Sequence, residues 1–453
     1  MAETFIFPFT FGDRTQSDLL GGKGANLAEM VKIGLPVPPG FTITTKACQE
    51  FLKSGHSPAT LPAELEAAMS ALEKELDKEF GNPLKPLILS VRSGAKFSMP
   101  GMMETVLNVG MTPEVAEQLA IETGNEQFAW DCYRRFIDMY SRIVCEVPQA
   151  EFHKVQEVIL AQFGVKAISE LDAVGLKAMA AGYIKSCEIF TGETFPTDPR
   201  VHLQRSIEAV FHSWNSERAN VYRRRERISS DLGTAVNIQS MVFGNLSQDS
   251  GTGVAFTRNP STGEIGSYGD YLERAQGEDV VAGIRNTMSL VEFGALLPDV
   301  HAELERVMAL LENHYKDLCD IEFTVEKGKL WILQTRVGKR TAEAAFRIAL
   351  ALVDEGRIDM DEALRRVTGD QLAQLMFPQF DLSSSVKEIA RGIPASPGAA
   401  VGEVVFDSKK AFDLAKDGHK VILVRRETSP DDLVGMVAAE GILTSRGGKT
   451  SHA

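Results

Sequence analysis

Residues 320–336 constrain the fold of this chain more than any other stretch, because polar and apolar side chains alternate there around a Lys-Gly pair. Such alternation predicts two antiparallel strands joined by a tight turn. Side chains two residues apart share a face of a strand, so Asp320 and Glu322 share one face of the first strand. Gln334 and Arg336 likewise share a face of the second. Paired carboxylates suit Mg²⁺ and an arginine suits a phosphate, but an edge hairpin with a solvated charged face is the alternative.

The length of the turn decides whether these polar side chains meet. A two-residue turn at positions 327–328 would place Glu322 opposite Leu333 and separate the polar groups of the two strands. A loop with an odd number of residues, with Gly328 in a left-handed conformation, would instead place Glu322 opposite Gln334. We expect the odd loop, because only that loop brings the polar side chains of a regular ladder together.

The composition argues against several classes of partner. The formal net charge of −14 disfavours a surface for nucleic acid or anionic membranes, although a local phosphate site needs only a few cations. We see no apolar run long enough for a membrane span and no secretory signal. The five cysteines are odd in number and lack C-x-x-C spacing, which favours a reduced compartment over a zinc site. We therefore expect a cytoplasmic protein.

Two further segments combine glycine with a cation. Residues 21–24, Gly-Gly-Lys-Gly, precede a helical pattern at 25–31, so their backbone N–H groups and Lys23 suit an anion; a plain turn is the alternative. Residues 87–92 predict a buried strand that ends at Arg92, beside a loop rich in Gly and Met. Arg92 would suit phosphate oxygens under a mobile loop, and a surface salt bridge is the alternative.

The remaining pattern outlines the rest of the chain. Residues 112–228 predict mostly helices, and the basic run at 223–225 reads as a solvated face with no assigned function. Another helix is predicted at 361–376, and a polar, Ser-rich linker then leads to a new unit near Lys387. Close to the end, a Gly-Gly turn precedes a helix-capping pattern that contains His452. The field of a helix N-terminus would make His452 a nucleophile towards a phosphoryl group, and a terminal histidine without a role is the alternative.

Taken together, these segments resemble the pyruvate, phosphate dikinase family. The resemblance runs from about residue 11 to residue 453 and depends on several motifs in order and at matching spacing. The matching segments are residues 21–27, 90–95, 98–103, 249–260, 276–283 and 320–340, with the closing Gly-Gly-x-Thr-Ser-His-Ala. The closing segment resembles the family's phosphohistidine motif, with Lys449 where many members carry Met.

The resemblance implies an α+β fold. An ATP-grasp nucleotide-binding domain would occupy residues 1–340, with a helical insertion at about 112–228, and a helical linker would follow at 341–386. Residues 387–453 would form an incomplete swivelling β/β/α phosphohistidine domain. The family's reaction converts ATP, phosphate and pyruvate to AMP, pyrophosphate and phosphoenolpyruvate with Mg²⁺. The resemblance thus implies ATP, inorganic phosphate and pyruvate or phosphoenolpyruvate as partners, with pyruvate bound by a C-terminal barrel.

The resemblance also assigns roles to individual residues. They are Lys23 and Arg92 for the triphosphate, Gln239 and Met241 near the adenine, Glu278 and Gln334 for the nucleotide, Asp320 and Glu322 for Mg²⁺, Arg336 for phosphate during catalysis, and His452 as phosphoryl carrier. Thr450 matches a residue that a regulatory protein phosphorylates in plant members, but here we expect a helix cap.

The chain departs from the family in its length. It stops one residue after His452, at about half the family's full length, so we expect residues 387–453 to be loosely held or completed by another chain. Transfer to pyruvate by this chain alone should then fail. Two other functions stay open: a related dikinase that uses water or another acceptor, such as phosphoenolpyruvate synthase, and a non-catalytic ATP-binding remnant.

Overall fold

The chain folds into helices and mainly antiparallel sheets, which confirms the α+β class. The computed structural model describes residues 4–282, 287–376, 389–390, 392 and 399–446. It divides into two compact units, Met1–Val242 and Phe243–Ala453. Within the described residues, the helices are too short or too polar to cross a bilayer. The predicted linker at 377–386, Thr450 and His452 lie outside the described residues.

The first unit is built on a five-stranded antiparallel sheet. Its strands are β1 (Ile6–Pro8), β2 (Gly40–Ile43), β3 (Leu89–Ala95), β4 (Thr105–Val109) and β5 (Thr234–Ser240). They lie in the order β1-β2-β5-β3-β4, so β5 returns from the far end of the unit to pair between β2 and β3. Val91, Val236 and Ile238 share one face of this central pair of strands and are fully buried.

The helices of the first unit follow capping signals in the sequence. They are α1 (Ser17–Lys32), α2 (Thr45–Ser54), α3 (Leu61–Leu76), α4 (Pro113–Thr123), α5 (Glu126–Ile143), α6 (Gln149–Phe163), α7 (Ala173–Thr191), α8 (Pro199–Ser213) and α9 (Glu217–Arg225). The helical stretch predicted at 112–228 is confirmed as α4–α9. Thr112, Asn125 and Asp172 each accept a backbone N–H from the first turn of the next helix, which fixes where α4, α5 and α7 begin.

The second unit contains another five-stranded antiparallel sheet. Its strands are β6 (Gly251–Arg258), β7 (Ile265–Glu273), β8 (Met288–Ser289), β9 (Cys319–Glu326) and β10 (Lys329–Val337), in the order β10-β9-β6-β7-β8. The helices are α10 (Gly277–Ala282), α11 (Leu290–Leu296) and α12 (Pro298–Tyr315), and α12 packs against β6, β9 and β10. On β9, Ile321, Phe323 and Val325 are fully buried. These apolar residues of the predicted hairpin therefore form core, and Asp320 and Glu322 lie on the opposite face of β9.

The turn of the β9–β10 hairpin differs from the prediction. Lys329 pairs with Glu326, so the loop has two residues, Lys327 and Gly328, and the odd loop was wrong. Both loop residues have positive φ, 49° and 71°, which is the geometry of a type I′ turn and twists in the same sense as the strands. The N–H of Gly328 donates to the carbonyl of Asp249 at 3.0 Å, which holds the turn against the chain that precedes β6.

A β-bulge nevertheless produces the predicted pairing. The register shifts between Ile332 and Gln334, which leaves Leu333 as the extra residue on β10. Beyond the bulge, Gln334 lies opposite Glu322 and Arg336 lies opposite Asp320. The strand thus accommodates the odd residue that we expected in the loop, and the polar pairs face each other as predicted.

Three helices follow the second sheet: α13 (Ala342–Asp354), α14 (Met360–Arg366) and α15 (Gly369–Gln374). The single helix predicted at 361–376 is wrong, because Thr368 starts a new helix through a capping box with Gln371. Charged side chains join the C-terminal end of α13 to the sheet. Arg258 at the end of β6 binds Glu312 and Glu355, each at 2.8 Å, and Arg357 binds the same two carboxylates.

A small parallel sheet forms the last described part of the chain. It consists of β11 (Glu403–Val405), β12 (Val421–Arg425) and β13 (Gly441–Thr444), with α16 (Ser408–Lys416) and α17 (Leu433–Ala438). Val405, Val421 and Leu423 are buried in a cluster with Ala411 of α16. The strands and α16 of this part therefore share one small apolar core.

The type I′ turn yields a stability prediction. Gly328→Ala should lower the free energy of unfolding by about 1 kcal/mol, because an L-residue with a side chain is strained at positive φ. A new Cβ there would meet no atom closer than 3.8 Å, so conformational strain rather than a clash is tested. Urea unfolding would measure the loss. Gly369→Ala in α15, where a new Cβ has open space, is the matched control and should not destabilise; equal stability of the two variants would contradict the turn.

Candidate active site

The register of the second sheet places polar side chains in two adjacent rows on one face. The first row crosses the sheet as Gln334, Glu322, Val254 and Asp270. The second contains Arg336 and Asp320, next to Phe256. The four hairpin residues predicted from the sequence are thus brought together on adjacent strands. Asp270 was missed, because strand pairing between β6 and β7 cannot be read from either segment alone.

Asp320 is the most buried charged group of these rows. Its side chain is 7% exposed, and Oδ2 accepts a hydrogen bond from Nε of Arg336 at 2.6 Å. The other oxygen, Oδ1, is buried and has no hydrogen-bond partner within the described part of the chain. Burial raises the pKa of Asp320, and the nearby Glu322 carboxylate raises it further, while Arg336 opposes both effects. The site therefore holds a poorly solvated carboxylate oxygen.

This arrangement fits a magnesium ion. Asp320 Oδ1 has no hydrogen-bond partner among the described residues, and the half-buried Glu322 lies two residues away on the same face. Among the described residues there is no cluster of three or more His, Cys, Asp or Glu side chains that could enclose a metal. Mg²⁺ is commonly held by one or two carboxylates and completes its octahedral shell with water and substrate phosphates. Two carboxylates are therefore sufficient, and an open coordination sphere is expected for such an ion.

The glycine segment of the first unit lies inside a kinked helix. Helix α1 starts at Ser17, before the predicted glycine loop, but Gly21 breaks it with φ 67° and ψ 167°. A Cβ at Gly21 would lie 1.6 Å from the carbonyl oxygen of Gly94 on β3. Only glycine allows this approach of helix to strand. The Cβ of Lys23 lies 3.2 Å from the position that a Cβ on Gly94 would occupy. Lys23 therefore packs against β3, and it is half-buried.

Arg92 occupies the middle of a strand rather than its end. The predicted strand end at Arg92 is wrong, because β3 continues to Ala95 by pairing with β5. Arg92 is half-buried and shares a face of β3 with Gly94, the glycine beside Lys23. Directly opposite lies Asn237, whose amide donates to the Arg92 carbonyl at 3.5 Å. Asn237 also bonds Thr42 at 2.9 Å, and neither residue was singled out from sequence, since their polar row appears only once the strands are paired.

The three remaining candidates occupy different environments. Gln239 is 1% exposed, and its amide donates to the carbonyl of Pro38 at 3.0 Å. Met241 is half-buried just after β5, and its N–H donates to Ile88 at 2.8 Å. Glu278 is half-buried in the first turn of α10, in the second unit. The roles of all these residues stay predictions.

Comparison with known families identifies the chain. Residues 17–58, 55–295 and 288–356 match the family described as pyruvate phosphate dikinase, AMP/ATP-binding domain. Residues 418–453 match the mobile domain of PEP-utilising enzymes. These matches define a nucleotide-dependent class of phosphotransferases. Within that class, the chain belongs to the pyruvate, phosphate dikinase family, and the predicted resemblance is confirmed.

Curated relatives support the assignment. The chain is 51% identical over 444 residues to pyruvate, phosphate dikinase 2 of Oryza sativa, covering 98% of this chain and 50% of the relative. It is 50% identical over 455 residues to the enzyme of Rhizobium meliloti, and this match covers 98% of the chain and 51% of that relative. It is 49% identical over 453 residues to the Clostridium symbiosum enzyme, and this match covers 99% of the chain and 52% of that relative. The chain spans about half the length of these relatives.

The raised pKa of Asp320 predicts a pH-dependent cost in stability. A buried acid whose folded pKa lies above its ordinary value of 3.8 destabilises the fold once it is ionised. This loss of stability is absent below pH 3.8 and is complete once the pH exceeds the pKa of the folded state. In metal-free buffer, Asp320→Asn should therefore unfold at a higher urea concentration than the wild type at pH 7, with a smaller advantage at pH 4.

A surface carboxylate serves as the control for this comparison. Glu343 is 59% exposed and pairs with Arg347 one helical turn away. Glu343→Gln should leave the urea midpoint nearly unchanged at both pH values, because a solvated pair contributes little. If the stability of the wild type relative to Asp320→Asn did not fall between pH 4 and pH 7, the sign of the shift would be contradicted.

Proposed function

We propose that this chain is the nucleotide-binding and phosphohistidine half of a pyruvate, phosphate dikinase. It would bind Mg-ATP on an ATP-grasp domain at residues 1–340 and pass a phosphoryl unit to His452, in the cytoplasm. One observation carries the proposal: the bulged hairpin sets Asp320 and Glu322 opposite Arg336 and Gln334, with one buried carboxylate oxygen that has no partner among the described residues. The family match, described as an AMP/ATP-binding domain, supports the nucleotide.

The charges of the hairpin suit a triphosphate and its metal. Asp320 and Glu322 would hold Mg²⁺, which when bound neutralises part of the phosphate charge. Arg336 is fixed by its 2.6 Å bond to Asp320, so its remaining N–H groups keep a defined direction. Gln334 supplies an amide beside Glu322 for a neutral polar group of the nucleotide. Following the family resemblance, we assign Lys23 and Arg92 to the triphosphate, Gln239 and Met241 to the adenine and Glu278 to the nucleotide.

The proposed reaction has three steps, the same as those of the family. The neutral imidazole of His452 attacks the β-phosphorus of ATP, the bond to the α-phosphate oxygen breaks, and AMP leaves. Inorganic phosphate then accepts the γ-phosphoryl group from the pyrophosphorylated histidine, and pyrophosphate leaves. Pyruvate finally loses a methyl proton, and its enolate oxygen takes the remaining phosphoryl group as the bond from phosphorus to the histidine nitrogen breaks, which gives phosphoenolpyruvate. Such transfers depend mainly on positioning and charge neutralisation, and Arg336 would contribute to both.

The last step would use a part beyond this sequence. The relatives are about twice as long as this chain, and its match to the mobile domain of PEP-utilising enzymes begins at residue 418. We assign residues 341–386 to a helical linker and 387–453 to the phosphohistidine domain. Pyruvate would then bind to a separate domain or chain that corresponds to the second half of the relatives.

Nucleotide binding tests the hairpin directly. Glu322→Gln should weaken ATP binding about tenfold or more in Mg²⁺, because it removes a charged ligand worth roughly 1.5–3 kcal/mol. Isothermal titration calorimetry with and without EDTA would measure it. The wild type should lose affinity on chelation, and the variant should lose much less. Glu343→Gln on α13 is the matched control and should bind normally; equal affinities of all three proteins would remove Glu322 from the site.

Product analysis tests the chemistry. With ATP labelled at the β-phosphate, the chain should release AMP and carry label on His452, and pyrophosphate release should require added phosphate. Arg336→Ala should lower the AMP yield by about tenfold or more. Arg347→Ala, at an exposed arginine on α13, should not change it.

The same assay separates the alternatives. Phosphate-independent turnover would point to a related dikinase with another acceptor. ATP binding without label on His452 would point to a non-catalytic binding protein. An AMP yield from Arg336→Ala equal to that of the wild type would remove Arg336 from the reaction.

A further inference from the structure

The end of helix α9 contains a buried arginine without a carboxylate partner among the described residues. Three arginines are buried in the described part of the chain: Arg134, Arg223 and Arg258. Arg134 pairs with Asp131 at 2.7 Å, and Arg258 pairs with two glutamates at 2.8 Å. Arg223 is 3% exposed and has no carboxylate within ion-pair distance in that same part of the chain. Since buried charges are usually paired, Arg223 is an exception that needs a cause.

The contacts of Arg223 fix its orientation but leave it incompletely satisfied. Its guanidinium stacks on the indole of Trp214, 4.1 Å from the ring centre, and donates to the Trp214 carbonyl. A second nitrogen donates to Oδ1 of Asn220 at 2.6 Å. The buried Nε has no hydrogen-bond partner in the described structure. Burial lowers the pKa of Arg223, although an arginine side chain stays charged at any physiological pH. The group is therefore a fixed cation with an unused donor.

This arginine lines a half-open cavity of about 330 Å³. The other lining residues are Asn220, Arg224, Ile228 and Ser230. Arg224 is exposed, and the structure gives it no carboxylate partner among the described residues. Its neighbour Arg225, by contrast, pairs with Glu226 at 3.9 Å and does not line the cavity. Two arginines, an amide and a hydroxyl thus surround a space large enough for a small organic molecule.

Favourable interaction with the C-terminal end of the helix explains the position of these arginines only in part. Cations near a helix C-terminus interact favourably with the last carbonyl groups, and Arg223, Arg224 and Arg225 all lie in the last turn of α9. That effect does not require burial, and it does not supply a partner for Nε of Arg223. Water could satisfy the donor but would not neutralise the charge. An oxyanion in the cavity would neutralise it.

We propose that the cavity at the end of α9 binds a small phosphate-bearing anion through Arg223 and Arg224. Guanidinium groups match phosphate oxygens in charge and geometry, and Asn220 and Ser230 add hydrogen-bonding groups. Ile228 gives one wall an apolar surface suited to the carbon part of an organic phosphate. The site is distinct from the hairpin and does not depend on the proposed reaction.

Binding of inorganic phosphate tests this proposal. Calorimetric titration at constant ionic strength, with chloride as the balancing anion, should show saturable binding that weakens about tenfold in Arg224→Gln. Arg224 is exposed, so this variant should fold. Arg225→Gln removes the same charge outside the cavity and should bind as the wild type does. Glycerol phosphate is a second probe, and tighter binding of this molecule would assign the site to organic phosphates.

Two further measurements locate the bound anion. Phosphate should change the fluorescence of Trp214, which stacks on Arg223, and the change should be lost in Arg224→Gln. Arg336→Ala should keep this fluorescence change, since Arg336 belongs to the separate hairpin site. Equal weakening by Arg224→Gln and Arg225→Gln, loss of phosphate binding in Arg336→Ala alone, or no saturable binding would each overturn the proposal.

Discussion

The single extra residue on β10 is the constraint on which the candidate site depends. A two-residue turn alone would place Glu322 opposite Leu333, and the carboxylates of one strand would not meet the amide and guanidinium of the other. The bulge at Leu333 restores the pairing of Glu322 with Gln334. A bulge also increases the local twist of a strand, so it aims side chains as well as setting their register.

Burial of Asp320 shows how this hairpin balances stability against binding. The carboxylate is removed from water with one oxygen paired to Arg336 and the other unpaired within the described residues. Such a group lowers the stability of the fold, because desolvation of its charge is only partly offset. In the proposed site, a bound Mg²⁺ would recover that loss, because the same desolvation strengthens the attraction of the carboxylate for a cation.

Much of the fold, but less of the site, could be predicted from the sequence. Helices α4–α9 and the β9–β10 pairing follow from periodicity and capping residues. The turn was wrong because counting residues assumes a regular ladder, and a bulge conceals one residue from that count. The strand end at Arg92 was wrong because Ser93 and Gly94 resemble a turn, whereas pairing with β5 extends the strand. The unpaired oxygen of Asp320 and the polar row at Asn237 depend on contacts between distant segments.

The charge network around Arg258 has a mechanical consequence. Glu355, just beyond α13, is bound to the end of β6, and Arg366 of α14 pairs with Asp317 at 3.8 Å, beside the start of β9. The C-terminal ends of both helices are thereby tied to the antiparallel sheet. A movement of the later parallel sheet that left these ion pairs intact would have to bend the chain after Arg366.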